Sequence, residues 1–202
     1  MAMAQLQEQE PLQMSEAEYL EFEEKSEIKH EFVNGKVYAM AGASWKHVMI
    51  CQSIGANLYS QLTGKSCVVE SNDLRLKVES KKVSYRYPDL MVICGDPNFI
   101  ENRVDTIDNP TVIIEVLSPA TALEDHNAKL DEYTRLESVQ EYVLISQHEA
   151  KVEVYARQKS DKWWYTPIRG LDASIELTSI DCTLALAKIY EKVNFEQSSD
   201  DE

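Results

Sequence analysis

The longest amphipathic stretch of the chain follows Ser44. Inward-facing positions recur there at a spacing of three to four residues, which is typical of a helix that buries one face. These positions are His47, Cys51, Ile54, Leu58 and Leu62. Gly64 provides a favourable stop after the last of them. The pattern therefore predicts a helix from Ser44 to Gly64.

Shorter helices are predicted before and after this segment. Ser15 and Glu18 have the spacing of a capping box, and Tyr19 and Phe22 supply the apolar side of a first helix. The apolar spacing over residues 125–137 predicts another helix, and a short helix is expected near the end of the chain.

Strand-like runs fill most of the remaining sequence. Asn34 and Gly35 form a strong hairpin signal between two β-prone runs. The runs 90–94 (LMVIC) and 111–117 (TVIIEVL) are almost wholly apolar, as expected of central strands that are covered on both faces. The run 73–78 (DLRLKV) alternates and should have one solvated face. Further runs are CVVES, EYVLIS, KVEVYAR and KWWYTPI, and the last two are typical of a meander.

The order of these elements predicts an α/β protein. Because no internal repeat and no Gly/Ser-rich linker is present, we expect one domain over residues 14–195. Residues 1–13 and the acidic tail 196–202 are expected to be disordered.

Two acidic residues interrupt the apolar runs. Asp89 follows Pro88 directly before the run 90–94, and Glu115 lies near the end of the run 111–117. If the two runs pair antiparallel, both carboxylates meet at one edge of a sheet, where their repulsion favours a bound divalent cation such as Mg²⁺ or Mn²⁺. The alternative is that Asp89 caps a turn while Glu115 pairs with an arginine.

Lys129 falls on the apolar side of the helix predicted over residues 125–137. It lies between Tyr133 and Leu136 around the helix axis, so it should face the sheet rather than solvent. A lysine in that position needs an anionic partner, and the edge that carries the two acids is the natural one. The alternative is a side chain that extends along the helix to reach solvent.

The net charge of −15 argues at first against nucleic acid as a partner, because such binding needs positive charge. The acidity is concentrated at the ends, however: the net charge is −7 over residues 1–31, −4 over 191–202 and only −4 over 32–190. The segment 75–86 has a net charge of +4 and is either a solvated hairpin or an edge that contacts phosphates. Its basic residues are Arg75, Lys77, Lys81, Lys82 and Arg86.

Four cysteines lie far apart in the sequence, and no CxxC pair is present. They are Cys51, Cys67, Cys94 and Cys182. Their largely apolar surroundings predict buried, reduced thiols and hence a cytoplasmic location. No apolar run is long enough to span a membrane, and the N-terminus lacks the features of a secretory signal.

Several motifs resemble the Uma-type restriction-endonuclease family, which is abundant in cyanobacteria. They are Tyr87-Pro88-Asp89, Asn109-Pro110-Thr111, residues 115–121 (EVLSPAT), Lys129 and Tyr133. The resemblance covers about residues 14–160 and also takes in Glu31, His47 and the stretch Asp73-Leu74-Arg75. The string EVLSPxT is fairly specific in this context, whereas the dipeptide PD alone is weak.

The resemblance places the chain among proteins similar to the PD-(D/E)XK nucleases. It implies a restriction-endonuclease-like core, with a mixed β-sheet flanked by helices and an additional hairpin or meander. It also implies that Asp89 and Glu115 bind the metal and that the Val116 carbonyl adds a ligand. Leu117 stands where the superfamily motif expects lysine, so Lys129 would supply the amine from the adjoining helix.

Four further residues are supporting candidates for this site through the same resemblance. They are Glu31, His47, Asp73 and Tyr133. For three of them a structural role is the alternative: Glu31 as a solvated acid at a helix end, His47 as a residue that caps or packs its helix, and Asp73 as a polar residue at a strand edge.

Together these residues predict a Mg²⁺- or Mn²⁺-dependent endonuclease that acts on nucleic acid, with DNA as the expected substrate. The absence of lysine at Leu117 leaves a second class open, a nuclease-like fold that binds nucleic acid or a protein without catalysis. A small-molecule hydrolase is disfavoured because no nucleophile motif is present.

An aromatic cluster comes late in the chain, at Trp163, Trp164 and Tyr165. On one strand, Trp163 and Tyr165 face one way and Trp164 the other. The cluster belongs either to the core and a covered sheet face or to a self-association surface. A homodimer would let one enzyme reach both strands of a duplex.

Overall fold

The computed structural model describes residues 11–71, 73–79, 82–100, 103–119, 121–159 and 162–195. The helices and strands among these residues follow one another along the chain as β1 (Leu12–Gln13), α1 (Glu16–Glu23), β2 (His30–Val33), β3 (Lys36–Ala39), α2 (Trp45–Leu62), β4 (Cys67–Ser71), β5 (Arg75–Glu79), β6 (Val83–Arg86), β7 (Leu90–Cys94), β8 (Thr106–Ile107), β9 (Val112–Leu117), α3 (Ala122–Glu124), a π-helix (Asp125–Lys129), α4 (Leu130–Tyr133), β10 (Glu141–Ser146), β11 (Lys151–Arg157), β12 (Trp163–Arg169), β13 (Ser174–Leu177), β14 (Cys182–Ala185) and α5 (Leu186–Ile189).

Two six-stranded sheets carry the fold of these residues. The first has the strand order β1-β3-β2-β6-β5-β8, and the second has the order β12-β11-β10-β9-β7-β4. The second sheet is mixed, because β9 and β10 run parallel while its other neighbours are antiparallel. The expected mixed α/β architecture with flanking helices is confirmed.

The central strands β7 and β9 are covered on both faces, as their apolar runs predict. One face packs against α2, the hairpin β13–β14 and α5, with Ile54, Val92 and Ile114 at its centre. The other face packs against the helix that spans residues 122–133 and against apolar residues of the first sheet. All six residues of β9 are buried, so a charged side chain on this strand must find its partners inside the protein.

The two N-terminal helices begin where the sequence predicts. Ser15 caps α1 through a complete capping box with Glu18, and Ser44 caps α2. The Asn34-Gly35 turn has positive φ at both residues, as a two-residue hairpin turn of this type requires. Local signals therefore sufficed to place these elements.

The helix over residues 122–133, here called the split helix, consists of three pieces. Its middle turn, Asp125–Lys129, is a π-helix between two short α-helical turns. The sequence predicts a regular helix over 125–137, so its start, end and winding all differ from the prediction. Such π turns occur often at functional sites because they reposition side chains that a regular helix would direct elsewhere.

The strand β5 corrects the expectation of a solvated face. Residues 75–78 are all buried, including the two basic ones. Arg75 and Lys77 lie inside a strand with neighbours on both sides, and acidic residues from other elements pair with them. Alternation of polar and apolar residues is therefore not a sign of solvent exposure here.

The cysteines are not all reduced, which is a second correction. Cys67 and Cys94 lie directly opposite each other on the antiparallel strands β4 and β7 and form a disulfide. Cys51 and Cys182 are free thiols. Twenty-seven residues separate the two bonded cysteines in sequence, so only the strand pairing brings them together. The cytoplasmic location stays a prediction, and it loses the support of the cysteine pattern.

The chain termini agree only in part with the expected boundaries. Leu12 and Gln13 form a short strand that pairs with β3, so the N-terminal disorder expected over residues 1–13 does not reach them. Residues 1–10 and the tail 196–202 lie outside the described residues. No helix in the described ranges is long and apolar enough to cross a membrane.

Candidate active site

The start of β7 meets the end of β9 at the site. The strands are antiparallel, with Leu90 opposite Ile114, so Asp89 lies beside Glu115. The Asp89 N–H donates to Glu115 Oε2 at 3.3 Å, and the Val116 N–H donates to Asp89 Oδ2 at 2.7 Å. The two carboxylates therefore converge where the start of β7 meets the end of β9, at the edge of the sheet that the ends of its strands form, as the apolar runs predict.

Pro88 determines how the ladder between these strands ends. Continuing the register from Leu90 and Ile114 places Pro88 opposite Val116. Proline has no N–H, so it cannot donate to the Val116 carbonyl. The Val116 N–H turns instead to the Asp89 carboxylate.

The split helix brings a lysine and a tyrosine to Glu115. Lys129 Nζ donates to Glu115 Oε1 at 3.0 Å, and the Tyr133 hydroxyl donates to the same oxygen at 3.1 Å. Lys129 Nζ also lies 3.0 Å from Asp125 Oδ1 and 4.0 Å from Glu31 Oε1. Lys129 is only 6% exposed, so the prediction that it faces the sheet is confirmed and the solvent-reaching alternative is wrong.

The electrostatic setting of Glu115 is unusual for a carboxylate. Burial, together with repulsion from Asp89 and Asp125, raises its pKa to about 8, against the opposing effect of Lys129. Burial alone would lower the pKa of Lys129, but Glu115, Glu31 and Asp125 hold that pKa well above its ordinary value. The lysine is therefore an ammonium at neutral pH, while the acids beside it repel one another.

Arg86 binds a second group of acids, next to the group that surrounds Lys129. Its side chain is fully buried. Its Nη1 lies 2.7 Å from both Glu31 Oε2 and Glu124 Oε1, and its Nε lies 2.9 Å from Glu132 Oε2. Glu31 joins the two groups because it also faces Lys129.

Acids outnumber bases across these two groups. Two cations, Arg86 and Lys129, lie against five acidic side chains, which belong to Glu31, Glu115, Glu124, Asp125 and Glu132. A sixth acid, Asp89, adjoins Glu115. Such an excess of negative charge in a partly dry site favours a bound cation.

The segment 75–86 does not present its basic residues as one surface edge. Arg75 and Arg86 are 1% and 0% exposed, and Lys77 is 7% exposed. Arg75 pairs with Asp105, while Lys77 pairs with Glu16 and Glu79. The expectation of a phosphate-contacting edge is therefore wrong for these three residues, because their charges are already used inside the protein. Lys82 is exposed, and Lys81 lies outside the described residues.

Besides Tyr133, two of the supporting candidates reach the site with defined contacts. Glu31 lies on strand β2 and binds Arg86, so it is not a solvated acid at a helix end. His47 Nε2 lies 3.0 Å from Asp89 Oδ1. Ser44 caps α2, because its hydroxyl accepts from the His47 N–H. The ring of His47 has no part in this cap and faces Asp89.

Asp73 is not brought to the two acids of the sheet edge. Its side chain is 78% exposed and forms an ion pair with Lys29. Tyr133, by contrast, is fully buried and donates to Glu115. The structure thus separates Asp73 from the other supporting candidates.

Several side chains at the site escaped the sequence reasoning. They are Cys51, Glu124, Asp125 and Glu132. Two of them could have been found from their spacing in sequence. Asp125 stands four residues before Lys129, and Cys51 stands four residues after His47; this spacing places side chains on the same helix face. No sequence pattern points to Glu124 or Glu132, because their partner Arg86 lies on a strand that is distant in sequence.

Comparisons with known proteins agree with this architecture. A sequence model of the Uma2 family, described as "Putative restriction endonuclease", matches residues 16–187. Two proteins of the cyanobacterium Synechocystis, both described as uncharacterized, are similar to the chain. The protein sll1609 is 34% identical over 82% of this chain and 93% of its own length. The protein slr1290 is 31% identical over 90% of this chain and 94% of its own length.

A solved structure shares the fold. The crystal structure of "a putative nuclease belonging to DUF820" from Anabaena variabilis superposes with a TM-score of 0.71 at 19% sequence identity. The match covers 90% of this chain and 98% of the other. At this level of identity the similarity shows a common fold.

Proposed function

The chain belongs to the Uma2 family, described as "Putative restriction endonuclease", and we propose that it is a metal-dependent endonuclease that hydrolyses phosphodiester bonds in DNA. The observation that carries the proposal is the meeting of Asp89, Glu115 and Lys129 at one sheet edge. Two carboxylates and an ammonium in contact are the groups that phosphodiester hydrolysis with a divalent cation needs.

The residues present fit a hard divalent cation. Mg²⁺ and Mn²⁺ prefer oxygen ligands, and Asp89, Glu115 and the Val116 carbonyl would supply them. Burial and the repulsion from Asp89 raise the pKa of Glu115, and a cation between the two acids would favour its charged form, which supports this assignment. When bound, the cation would supply an activated water and neutralise charge on the phosphate.

The side chains around the acids have separate roles in this proposal. Lys129 orients the attacking water and stabilises negative charge on the phosphate, and its raised pKa argues against a role as a general base. Lys129 would thereby replace the lysine that is absent at Leu117. Tyr133 and Asp125 are positioning residues, since they hold Glu115 and Lys129 in place.

A cleavage assay tests the proposal directly. We expect the purified protein to cut DNA in Mg²⁺ or Mn²⁺ and to be inactive in EDTA, with single-stranded DNA, duplex DNA and RNA compared side by side. The variant Asp89→Asn should lose cleavage, whereas Asp131→Asn should retain it, because Asp131 is exposed and pairs only with Arg135 among the described residues. Full activity in Asp89→Asn would contradict the assignment.

The second candidate function is a module that binds nucleic acid or a protein without cleavage. Leu117, where the superfamily motif has lysine, is the observation that favours it. Titration calorimetry distinguishes the two: a protein that binds DNA but neither binds Mg²⁺ or Mn²⁺ nor cleaves would be this module.

Homodimerisation is part of the proposal. Trp164 and Tyr165 are 66% and 45% exposed on β12, an edge strand of the second sheet, and exposed aromatic area favours interfaces. We expect sedimentation velocity to show a dimer at micromolar concentration and Trp164→Glu to shift it to a monomer. A wild-type monomer under these conditions would contradict a dimer.

A further inference from the structure

Helix α2 carries two potential metal ligands toward Asp89. His47 and Cys51 are one helical turn apart and therefore lie on the same face. His47 Nε2 is 3.0 Å from Asp89 Oδ1, and the ligand atoms of His47, Cys51 and Asp89 all lie within 4.8 Å of one another. No other group of three such side chains is this close in the part of the chain that the structure describes.

The close approach of α2 to β7 produces this grouping. One further turn along the same helix face is Gly55, where an added Cβ would stand 3.4 Å from Leu90 Cδ2. The backbone of α2 at this position therefore lies close to Leu90, the first residue of β7. The residue before Leu90 is Asp89, so the same approach brings Cys51 and His47 to its carboxylate.

The donor set differs in kind from the oxygen set of the proposed nuclease site. A thiol, an imidazole and a carboxylate suit a thiophilic cation, whereas Mg²⁺ prefers oxygen alone. Three protein ligands with a fourth position left for water are typical of reactive zinc sites. In a tetrahedral zinc site the ligand atoms stand about 3.3–3.8 Å apart. The 3.0 Å separation of His47 Nε2 and Asp89 Oδ1 would widen slightly, and no pair in the group would have to shorten by more than about 1.5 Å.

We propose that His47, Cys51 and Asp89 form a binding site for a thiophilic divalent cation, with Zn²⁺ as its natural occupant. The cation replaces the thiol proton of Cys51, which leaves to solvent, and a water molecule completes the coordination. The side chains of His47 and Asp89 are 15% and 16% exposed, so the site is open enough to admit the ion.

Asp89 belongs to both donor sets, and this sharing has a regulatory consequence. Its Oδ1 faces His47, while its Oδ2 accepts the Val116 N–H beside Glu115. A zinc ion held by Cys51 and His47 would draw Asp89 away from the hard cation. Zinc would therefore inhibit the enzyme. This inhibition rests on the proposed nuclease function, whereas the binding of zinc by these three side chains does not depend on it.

Cobalt titration tests the site without reference to activity. Co²⁺ replaces Zn²⁺ in such sites, and a Co²⁺–thiolate bond absorbs strongly in the near ultraviolet. We expect one equivalent of Co²⁺ to produce this absorption in the wild-type protein and Zn²⁺ to abolish it by displacement. Cys51→Ser should lose the absorption, and His47→Gln should weaken Co²⁺ binding at least tenfold.

The other free thiol provides the matched control. Cys182 is buried at the start of β14, away from α2's N-terminal turns, and Cys182→Ser should keep the full absorption. Circular dichroism of each variant establishes that it is folded. Absence of the thiolate band in the wild-type protein, or its persistence in Cys51→Ser, would overturn the proposal.

The Glu115→Gln variant separates this proposal from the nuclease assignment. It removes an oxygen ligand of the hard-cation site and leaves the set of His47, Cys51 and Asp89 intact, so the Co²⁺–thiolate band should persist. If the wild-type protein binds Co²⁺ without the band, the thiophilic site is absent whether or not the protein cleaves DNA. If the band appears and no DNA is cut, the nuclease proposal alone fails.

Discussion

Replacing Glu115 by glutamine is expected to reduce DNA cleavage by about 10³-fold or more. The change removes one of two carboxylates that would hold the cation, and such a ligand accounts for several kcal/mol of transition-state stabilisation. The amide oxygen can still accept from Tyr133 and Lys129, so the fold should survive. The measurement is the initial rate of cleavage in Mg²⁺ at matched protein concentration.

The same variant should change how stability depends on pH. Because the pKa of Glu115 is raised in the folded protein to about 8, the folded state holds this proton more tightly than the unfolded chain does. The free energy of unfolding should therefore decrease as the pH rises from about 4.5 to about 8, and Glu115→Gln should flatten that dependence. Urea unfolding in EDTA across this range measures it.

Glu137→Gln is the matched control for both measurements. Glu137 is an exposed glutamate shortly after the split helix, so its replacement should leave the cleavage rate and the pH dependence of stability unchanged. If Glu115→Gln cleaves at the wild-type rate, Glu115 is not a ligand. If the stability of Glu115→Gln depends on pH as steeply as that of the wild type, Glu115 is not the source of that dependence.

Replacing Arg86 by methionine should destabilise the protein by about 3–5 kcal/mol. The guanidinium is fully buried, and it pairs with Glu31, Glu124 and Glu132. Removing one partner from a buried ionic group leaves uncompensated charge, which is far more costly than losing a surface pair. Chemical or thermal unfolding measures the loss, and a decrease in Tm of about 6–20 °C corresponds to it.

Arg135→Met is the surface counterpart of this change. Arg135 pairs with Asp131 at a spacing of four residues, with side chains 45% and 67% exposed. Because such surface pairs contribute little to stability, its removal should lower the free energy of unfolding far less than Arg86→Met does. If Arg86→Met lowered the free energy of unfolding as little as Arg135→Met does, and if it also weakened DNA binding, Arg86 would be a phosphate contact. The expectation from sequence would then be right and the structural role assigned to Arg86 wrong.

Local order in this protein could be predicted from the sequence. The cap at Ser15, the hairpin at Asn34 and the buried strands β7 and β9 depend on neighbouring residues, and each appeared where expected. The convergence of Asp89 and Glu115 needed one assumption, that the two runs pair antiparallel, and the register confirms it. Periodicity also placed Lys129 on the inner face of its helix.

The partners of the buried charges could not be predicted in this way. In sequence, Arg75 and Arg86 belong to a basic segment. In the structure Arg75 pairs with Asp105, and Arg86 pairs with three acids from other elements. The disulfide between Cys67 and Cys94 depends likewise on the pairing of β4 with β7. A charge pattern along the chain contains no information on which acids approach from elsewhere.

The sequence by itself determined the two N-terminal helices, the apolar central strands and the two acids placed in them, because these follow from periodicity and from the high energy of a charge in an apolar strand. Only the tertiary structure decided that Arg75, Lys77 and Arg86 are internal, and that Cys51 and His47 both approach Asp89. These contacts join residues that are distant in sequence, such as Glu31 and Arg86, which are 55 positions apart. Their energies depend on burial and distance in the folded chain.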